Sequence, residues 1–192
     1  MVRIISINIR SDNSADVEHS WVNRLPLPAE VLNLYHPDIV VTQEGWRRQL
    51  RELEARLDGL HLIDGHRDWI EERMYPCIFV RASEGCRVGQ SGDVWLSETP
   101  QLAGSVSFGS AFPRLMTWCV LSCDKSPTLV ANLHLDHESR ATRTEQARVA
   151  AEELRALNSE GLPVVLAGDF NDTPDGPVRN GIMERLPELY DP

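Results

Sequence analysis

Residues 163–173, PVVLAGDFNDT, constrain the fold more than any other stretch of the sequence. Val164, Val165, Leu166 and Ala167 are apolar without interruption, the pattern of a strand buried on both faces. Gly168 ends the run. Asp169 and Asn171 follow two residues apart, so in extended backbone a carboxylate and an amide would share one face. Asp172, Thr173, Pro174, Asp175 and Gly176 then carry turn chemistry. A buried strand that delivers an acid and an amide at its carboxyl end fits the active-site edge of an α/β protein. The plainer alternative is a strand closing in an Asx-type turn, with Asp169 or Asn171 bonding only local backbone. These residues alone leave the two readings level.

Earlier parts of the chain repeat the pattern. Residues 2–9 read as a β-branched strand with Asn8 near its end, and 10–20 as a polar loop. A short helix over 29–35 is entered through Pro26 and Pro28 and stopped by His36-Pro37. Residues 38–42 form a second strand, with Gln43 and Glu44 where it ends. Leu50, Leu53 and Leu57 then mark an amphipathic surface helix over 46–57. From 60 to 123 the reading is mostly β, with strands at 61–64, 77–81, 94–97 and 115–123 between Gly- and Pro-containing turns and with Trp95 and Trp118 as core residues. A strand at 128–134 ends in Asn132 and His134. A helix over 142–158 buries Ala147, Ala150, Ala151, Leu154 and Leu157, and a last helix falls near 178–186. Helices alternating with strands at both ends of the chain, around a β meander, predict two packed sheets with helices on their outer faces.

A chain of 192 residues suits one domain, 1–192, with a substantial core. The charge balance, 29 Asp and Glu against 19 Lys and Arg, gives a net −10. Such a surface disfavours general binding to duplex nucleic acid and accommodates a small anion held through a metal more easily. Cys77, Cys86, Cys119 and Cys123 form no Cys-x-x-Cys pair and read as buried thiols. Cys119 and Cys123 would lie roughly 13 Å apart along one strand, too far for a disulfide, which points to a reducing compartment. The amino-terminal residues lack the features of a secretory leader, and no run approaches the roughly 20 apolar residues of a membrane helix. The expectation is a soluble cytoplasmic protein without a membrane span, and the sequence points to no protein partner.

Four predicted strands thus end in polar groups: Asn8, Glu44, Asn132 with His134, and Asp169 with Asn171. Four of one type predict that the strand ends converge on a single site. Oxygen-bearing side chains such as Asn8, Glu44 and Asp169 suit a hard cation, Mg²⁺ or Mn²⁺, better than zinc. Mg²⁺ is commonly shared between one or two carboxylates and a phosphate, which points to phosphoryl chemistry.

In order along the chain, ISINIR (5–10), TQEG (42–45), WLSETP (95–100), PRLMTW (113–118), ANLHLDH (131–137) and AGDFNDTP (167–174) resemble the successive motifs of the endonuclease/exonuclease/phosphatase family, which includes DNase I. The resemblance implies a four-layer α/β sandwich, two central mixed sheets flanked by helices, with the site at one edge. It also implies a metal-dependent phosphohydrolase that cleaves a phosphodiester or phosphomonoester, in a small molecule or short nucleic acid, by in-line attack of an activated water. Carried over, Glu44 is the principal metal ligand with Asn8 beside it, and Asp169 contacts the metal and positions the water. His134 hydrogen-bonds the scissile phosphate, and Asn171 orients water or phosphate. Tyr75, Arg114, Asp136 and Arg143 line the pocket, and Glu71 or Glu72 stands in shifted register for an acid before the 78–79 strand. The family pattern continues into further strands and a terminal Ser-Asp-His motif that this sequence does not carry. The fold is therefore expected to be incomplete at its carboxyl end. The competing reading is a truncated or catalytically impaired member that keeps a metal and phosphate site without efficient turnover.

Overall fold

Two sheets of four strands lie back to back in the computed structural model, which describes residues 2–71, 73–83, 86–123 and 126–190. The first contains β1 (Ile4–Asn8), β2 (Ile39–Gly45), β3 (Leu60–Leu62) and β4 (Tyr75–Arg81), in the order β1-β2-β4-β3. The second contains β5 (Cys86–Trp95), β6 (Leu115–Cys123), β7 (Ser126–His134) and β8 (Val164–Asp169), in sequence order. The β1–β2 and β7–β8 pairs are parallel and the others antiparallel. Helices α1 (Trp21–Arg24), α2 (Pro26–Tyr35) and α3 (Arg47–Glu54) accompany the first sheet. Helices α4 (Arg140–Leu157) and α5 (Pro177–Arg185) accompany the second.

Side-chain alternation accounts for this layering. On β2, Ile39 and Val41 face the other sheet, where they join Ile78, Val80, Cys119, Leu121 and Val130. Val40, between them, faces the helices with Leu32, Leu50, Leu53 and Phe79. The second sheet does the same: Leu129, Ala131 and Leu133 meet Ala147, Ala150, Leu154 and Ile182 from α4 and α5. A strand covered on both faces needs apolar residues at consecutive positions, which is why β2 opens on Ile39, Val40 and Val41, β4 runs through Cys77, Ile78, Phe79 and Val80, and β7 through Leu129, Val130 and Ala131. Complete burial of one such side chain contributes about 1.5–3 kcal/mol.

The 163–173 stretch behaves differently from its neighbours. Val164 and Leu166 pack toward the helices, Val165 and Ala167 toward the other sheet, so both faces of β8 are covered. Yet among the described residues β8 pairs only with β7, and all six of its residues are half-buried rather than buried. The expectation of full burial fails because β8 is an edge strand, a property that its apolar run does not encode.

Three further differences have local causes. Strand β5 starts at Cys86, well before the predicted 94, because Gly89 to Asp93 read as a turn, whereas Ser91, Gly92 and Asp93 pair with β6 and Gly89 and Gln90 fall in an irregularity within the strand. Helix α2 starts at Pro26 rather than Ala29, and the expected 10–20 loop holds a 3₁₀ segment at Ser14–His19. The cysteines divide into two classes. Cys77 and Cys119 are buried thiols, pushed up by burial to about 11 and about 12. Cys86 and Cys123 face each other across β5 and β6, Cα atoms 4.1 Å apart, and form a disulfide. The expectation of four free thiols is corrected accordingly, and the cysteine argument for a reducing compartment falls with the bridge. Among the described residues, no helix is long and apolar enough to cross a membrane.

Candidate active site

The carboxyl ends of β1, β2, β7 and β8 meet at one rim. Within the sheets, Asn8 lies opposite Gln43 and His134 opposite Asp169. The Asn8 amide donates from Nδ2 to Glu44 Oε1 of its own sheet at 2.9 Å and, between the sheets, to Asp169 Oδ2 at 3.0 Å. His134 Nε2 stands 3.8 Å from the same Asp169 oxygen. One amide thus ties a carboxylate of each sheet together beside an imidazole. Asn171 sits next to them, its backbone N–H donating to Asp169 Oδ1 and its Nδ2 to the Leu135 carbonyl, both at 3.0 Å. The Asx turn weighed as the plainer reading is therefore present. It engages one oxygen of Asp169 and leaves the other for the site.

Backbone geometry at the two strand ends is unusual. Glu44 has a φ of 63° and Asn171 a φ of 50°, conformations that cost about 1–3 kcal/mol and concentrate at functional positions. The β2 ladder slips between Thr42 and Gly45, which turns Glu44 out of register toward the rim. Gly45 is needed there because a Cβ would lie 2.6 Å from Leu50 of α3. Gly168, at φ 144°, lets β8 pass a Leu133 carbonyl that a Cβ would approach to 2.1 Å.

Beneath the rim a fully buried polar pair joins the sheets. Gln43 donates to Asn132 Oδ1 at 2.9 Å, and Asn132 donates to the Thr42 and Cys77 carbonyls at 2.8 Å each. Buried amides persist only when paired, so this junction fixes β2 against β7 one residue below Glu44 and two below His134. Asn132 was grouped with the strand-end polar residues on sequence grounds. The structure gives it a joining position below the cavity-lining residues.

Electrostatics assign complementary states to the facing groups. Burial pushes Glu44 up, but the Asn8 amide, the Ser11 N–H, His134 and Arg114 together hold it below its ordinary value. His134 is driven down to about 4, chiefly by burial and then by the Arg114 guanidinium, so it is neutral at pH 7. Arg114 NH1 lies 3.2 Å from His134 Nδ1 and NH2 lies 3.0 Å from His137 Nδ1. A guanidinium can only donate, so His134 Nδ1 accepts and the neutral His134 ring carries its proton on Nε2. His134 therefore presents an N–H on its Asp169 side.

The remaining candidates fall in three places. Tyr75 and Arg114 line a cavity of about 460 Å³ with Glu44, His134, Trp46 and Phe112, although the Tyr75 hydroxyl is engaged with the Ile70 N–H. Arg143 borders a separate cleft of about 660 Å³, together with Asn8, Asp169 and Asn171. Asp136 is buried and occupied: Ser110 Oγ donates to one oxygen and the Glu138 and Ser139 amides to the other. Burial opposes its ionisation, but those hydrogen bonds and Arg114 hold it below its usual range, so Asp136 secures the loop behind His134. Glu71 is exposed and 3.9 Å from Arg47, and Glu72 lies outside the described residues.

No three acids, histidines or cysteines among the described residues cluster closely enough to hold a metal by themselves. What is present is one carboxylate from each sheet joined by an amide. That donor set fits a hard cation that keeps several waters and shares a phosphate, and it does not fit zinc. Asn8 Oδ1 accepts from the Arg10 N–H at 2.9 Å, so in this arrangement Asn8 offers a donor to the site.

A sequence profile of the endonuclease/exonuclease/phosphatase family matches residues 5–189. The chain belongs to that family. A mannosyl-6-phosphatase of Bacteroides thetaiotaomicron superposes with a TM-score of 0.87 at 29% identity, covering 96% of this chain and 71% of its own. A family protein of Bacteroides vulgatus gives 0.86 at 27%, covering 95% of this chain and 70% of its own. TDP2 of D. rerio, in complex with a single-strand DNA product, gives 0.72 at 20%, covering 94% and 64%, which shows the shared fold alone. No protein of curated function matches the sequence. The two-sheet sandwich inferred from the motifs is thus borne out.

Proposed function

We propose that this chain is a Mg²⁺- or Mn²⁺-dependent phosphoester hydrolase acting as a single domain. The observation that carries the reading is the Asn8 amide joining Glu44 and Asp169 across the two sheets beside a neutral His134. Glu44 would hold the cation, with Asp169 and Asn8 adjacent. When bound, it would supply charge neutralisation at the phosphate. The residues of the chain supply the rest. His134 donates its Nε2 proton as a hydrogen bond to a phosphate oxygen and stabilises charge developing there. Asp169, its Oδ1 oriented by the Asn171 amide, accepts the proton of the attacking water. Asn171 turns that water toward phosphorus, and Arg114 adds positive charge while fixing the His134 ring.

The cavity favours a small polar alcohol as leaving group. Trp46 and Phe112 offer flat apolar faces, and Ser11, Asp12 and Asn13 offer hydroxyl partners around about 460 Å³. That lining, the acidic surface and the 29% identity to a mannosyl-6-phosphatase favour a sugar-like phosphomonoester over duplex nucleic acid. The second reading, a member that holds metal and phosphate with little turnover, is favoured by the cleft beside Asp169, whose lining contains no histidine among the described residues.

The test is hydrolysis of p-nitrophenyl phosphate, bis-p-nitrophenyl phosphate and hexose 6-phosphates with Mg²⁺, Mn²⁺ or EDTA. Metal-dependent turnover that prefers monoesters and is lost in Glu44→Ala supports the hydrolase. A folded chain that binds Mn²⁺ and turns over none of them supports the second reading.

A further inference from the structure

Gln49 lies in the first turn of α3, contributes nothing to the cavity wall and is completely buried. Both ends of its amide are engaged. Oε1 accepts from the backbone N–H of Asp12 at 3.0 Å and of Trp46 at 3.3 Å, and Nε2 donates to the Arg10 carbonyl at 3.1 Å. The loop gripped in this way is the one whose own amides face the site. The Arg10 N–H donates to Asn8 Oδ1 at 2.9 Å, and the Ser11 N–H donates to Glu44 Oε2 at 3.1 Å. Arg10 holds a φ of 54°, so the loop is kept in a conformation it would not choose unaided. Arg24 supports the same loop from its other side, through the carbonyls of Ile9, Arg10 and Ser11.

We infer that Gln49 is a positioning residue for the Asn8–Glu44 half of the site, acting through the loop of residues 10–12. The residue type is specific. Only an amide of this length can accept two N–H groups and donate to a carbonyl: a Glu carboxylate cannot donate, and Met satisfies none of the three. Glu44 departs from the strand at a positive φ, so its carboxylate is aimed by what bonds it, and two of those bonds come from Asn8 and from the gripped loop. Loss of a partner that orients a metal-binding or catalytic group lowers affinity or activity by roughly 10–100-fold.

The activity arm of the test rests on the hydrolase reading; the structural arm does not. The full chain is compared with Gln49→Met and Gln49→Glu by amide hydrogen exchange, Mn²⁺ calorimetry and p-nitrophenyl phosphate kinetics. In Gln49→Met, the Ser11 and Asp12 amides are expected to exchange about 10-fold faster or more, while those of Val41 and Val130 in the inter-sheet core keep their rates. Mn²⁺ affinity and kcat then fall roughly 10–100-fold, with KM moving less than about 3-fold. Gln49→Glu keeps the two accepted bonds and falls between parent and Gln49→Met, and it carries the test if Gln49→Met does not fold. Ser11 exchange at the parent rate in the folded variants overturns the inference. So does Mn²⁺ affinity at the parent value once Ser11 exchange has risen. A parent protein that binds no Mn²⁺ contradicts the metal reading of the site, and the Ser11 exchange rates still decide whether Gln49 holds the loop.

Discussion

The inner strands β2 and β7 and the outer strands β1 and β8 reach the same rim by different physical means. Strand β2 is buried at six of its seven residues, Glu44 being the exception, and β7 is buried along its last six. The two are joined beneath the rim by Gln43 and Asn132. No residue of β1 or β8 is fully buried, and among the described residues each strand pairs on one side only. Yet each pair delivers two site residues, Glu44 and His134 from the inner, Asn8 and Asp169 from the outer. The inner pair is positioned by packing and a satisfied buried junction. The outer pair is positioned at its tips, where the Asn8 amide reaches both carboxylates. Stability should therefore reside in the inner strands, while the site depends equally on both.

The largest effect is expected at the junction. Asn132→Leu keeps the branched shape but removes the bonds to the Gln43 amide and to the Thr42 and Cys77 carbonyls and crowds the junction with two methyl groups, and it should cost about 3–5 kcal/mol in urea unfolding. Comparable stability in that variant would mean that the sheets are held by apolar packing alone. The two strand types can also be compared directly. Leu133→Ala on β7 should cost about 2–5 kcal/mol, and Leu166→Ala on half-buried β8 about 1 kcal/mol, by the same measurement. Equal losses would erase the distinction between inner and outer strands.

A smaller effect concerns pH. Arg67 sits against β4, β5 and β6, bonding Asp93 through two nitrogens at 2.6 Å, Thr117 at 2.7 Å and the Cys77 sulfur. Burial opposes the Asp93 charge, but His66, Arg67 and Thr117 hold its pKa down to about 2, against 3.8 unperturbed. A carboxylate depressed in the folded state stabilises above its unfolded pKa, and that contribution is lost as pH falls through the folded value. The protein should lose about 2 kcal/mol between pH 5 and about pH 2 from this group. Asp93→Asn should flatten that part of the acid-unfolding curve, and an unchanged slope would show that Asp93 is not linked to acid stability.

Much of this arrangement was legible in the sequence because apolar runs and the polar residues that end them are local signals. Asn8, Glu44, His134, Asp169 and Asn171 were each visible at a predicted strand end, and the structure brings all five to one rim. What stayed hidden depends on neighbours distant in sequence. An apolar run cannot tell an edge strand covered on both faces from an interior one, so the partial exposure of β8 carries no mark in its sequence. The Cys86–Cys123 bridge follows from a β5–β6 pairing that runs through residues resembling a turn. Asp136 carries no mark separating a loop-securing carboxylate from a pocket-lining one. Gln49 is a polar residue on a helix of Arg and Glu, and only its burial under the 10–12 loop distinguishes it.

The central claim is that strand ends from two sheets make one site, and a double-mutant cycle tests it most directly. Glu44→Gln comes from the first sheet and Asp169→Asn from the second. Each alone, and the pair together, would be measured for Mn²⁺-dependent p-nitrophenyl phosphate hydrolysis. Residues acting as one unit are strongly non-additive, so each single variant should lose on the order of 10³-fold in kcat/KM and the double variant little more. Losses that multiply in the double variant, or a single variant as active as the parent, would contradict a shared site.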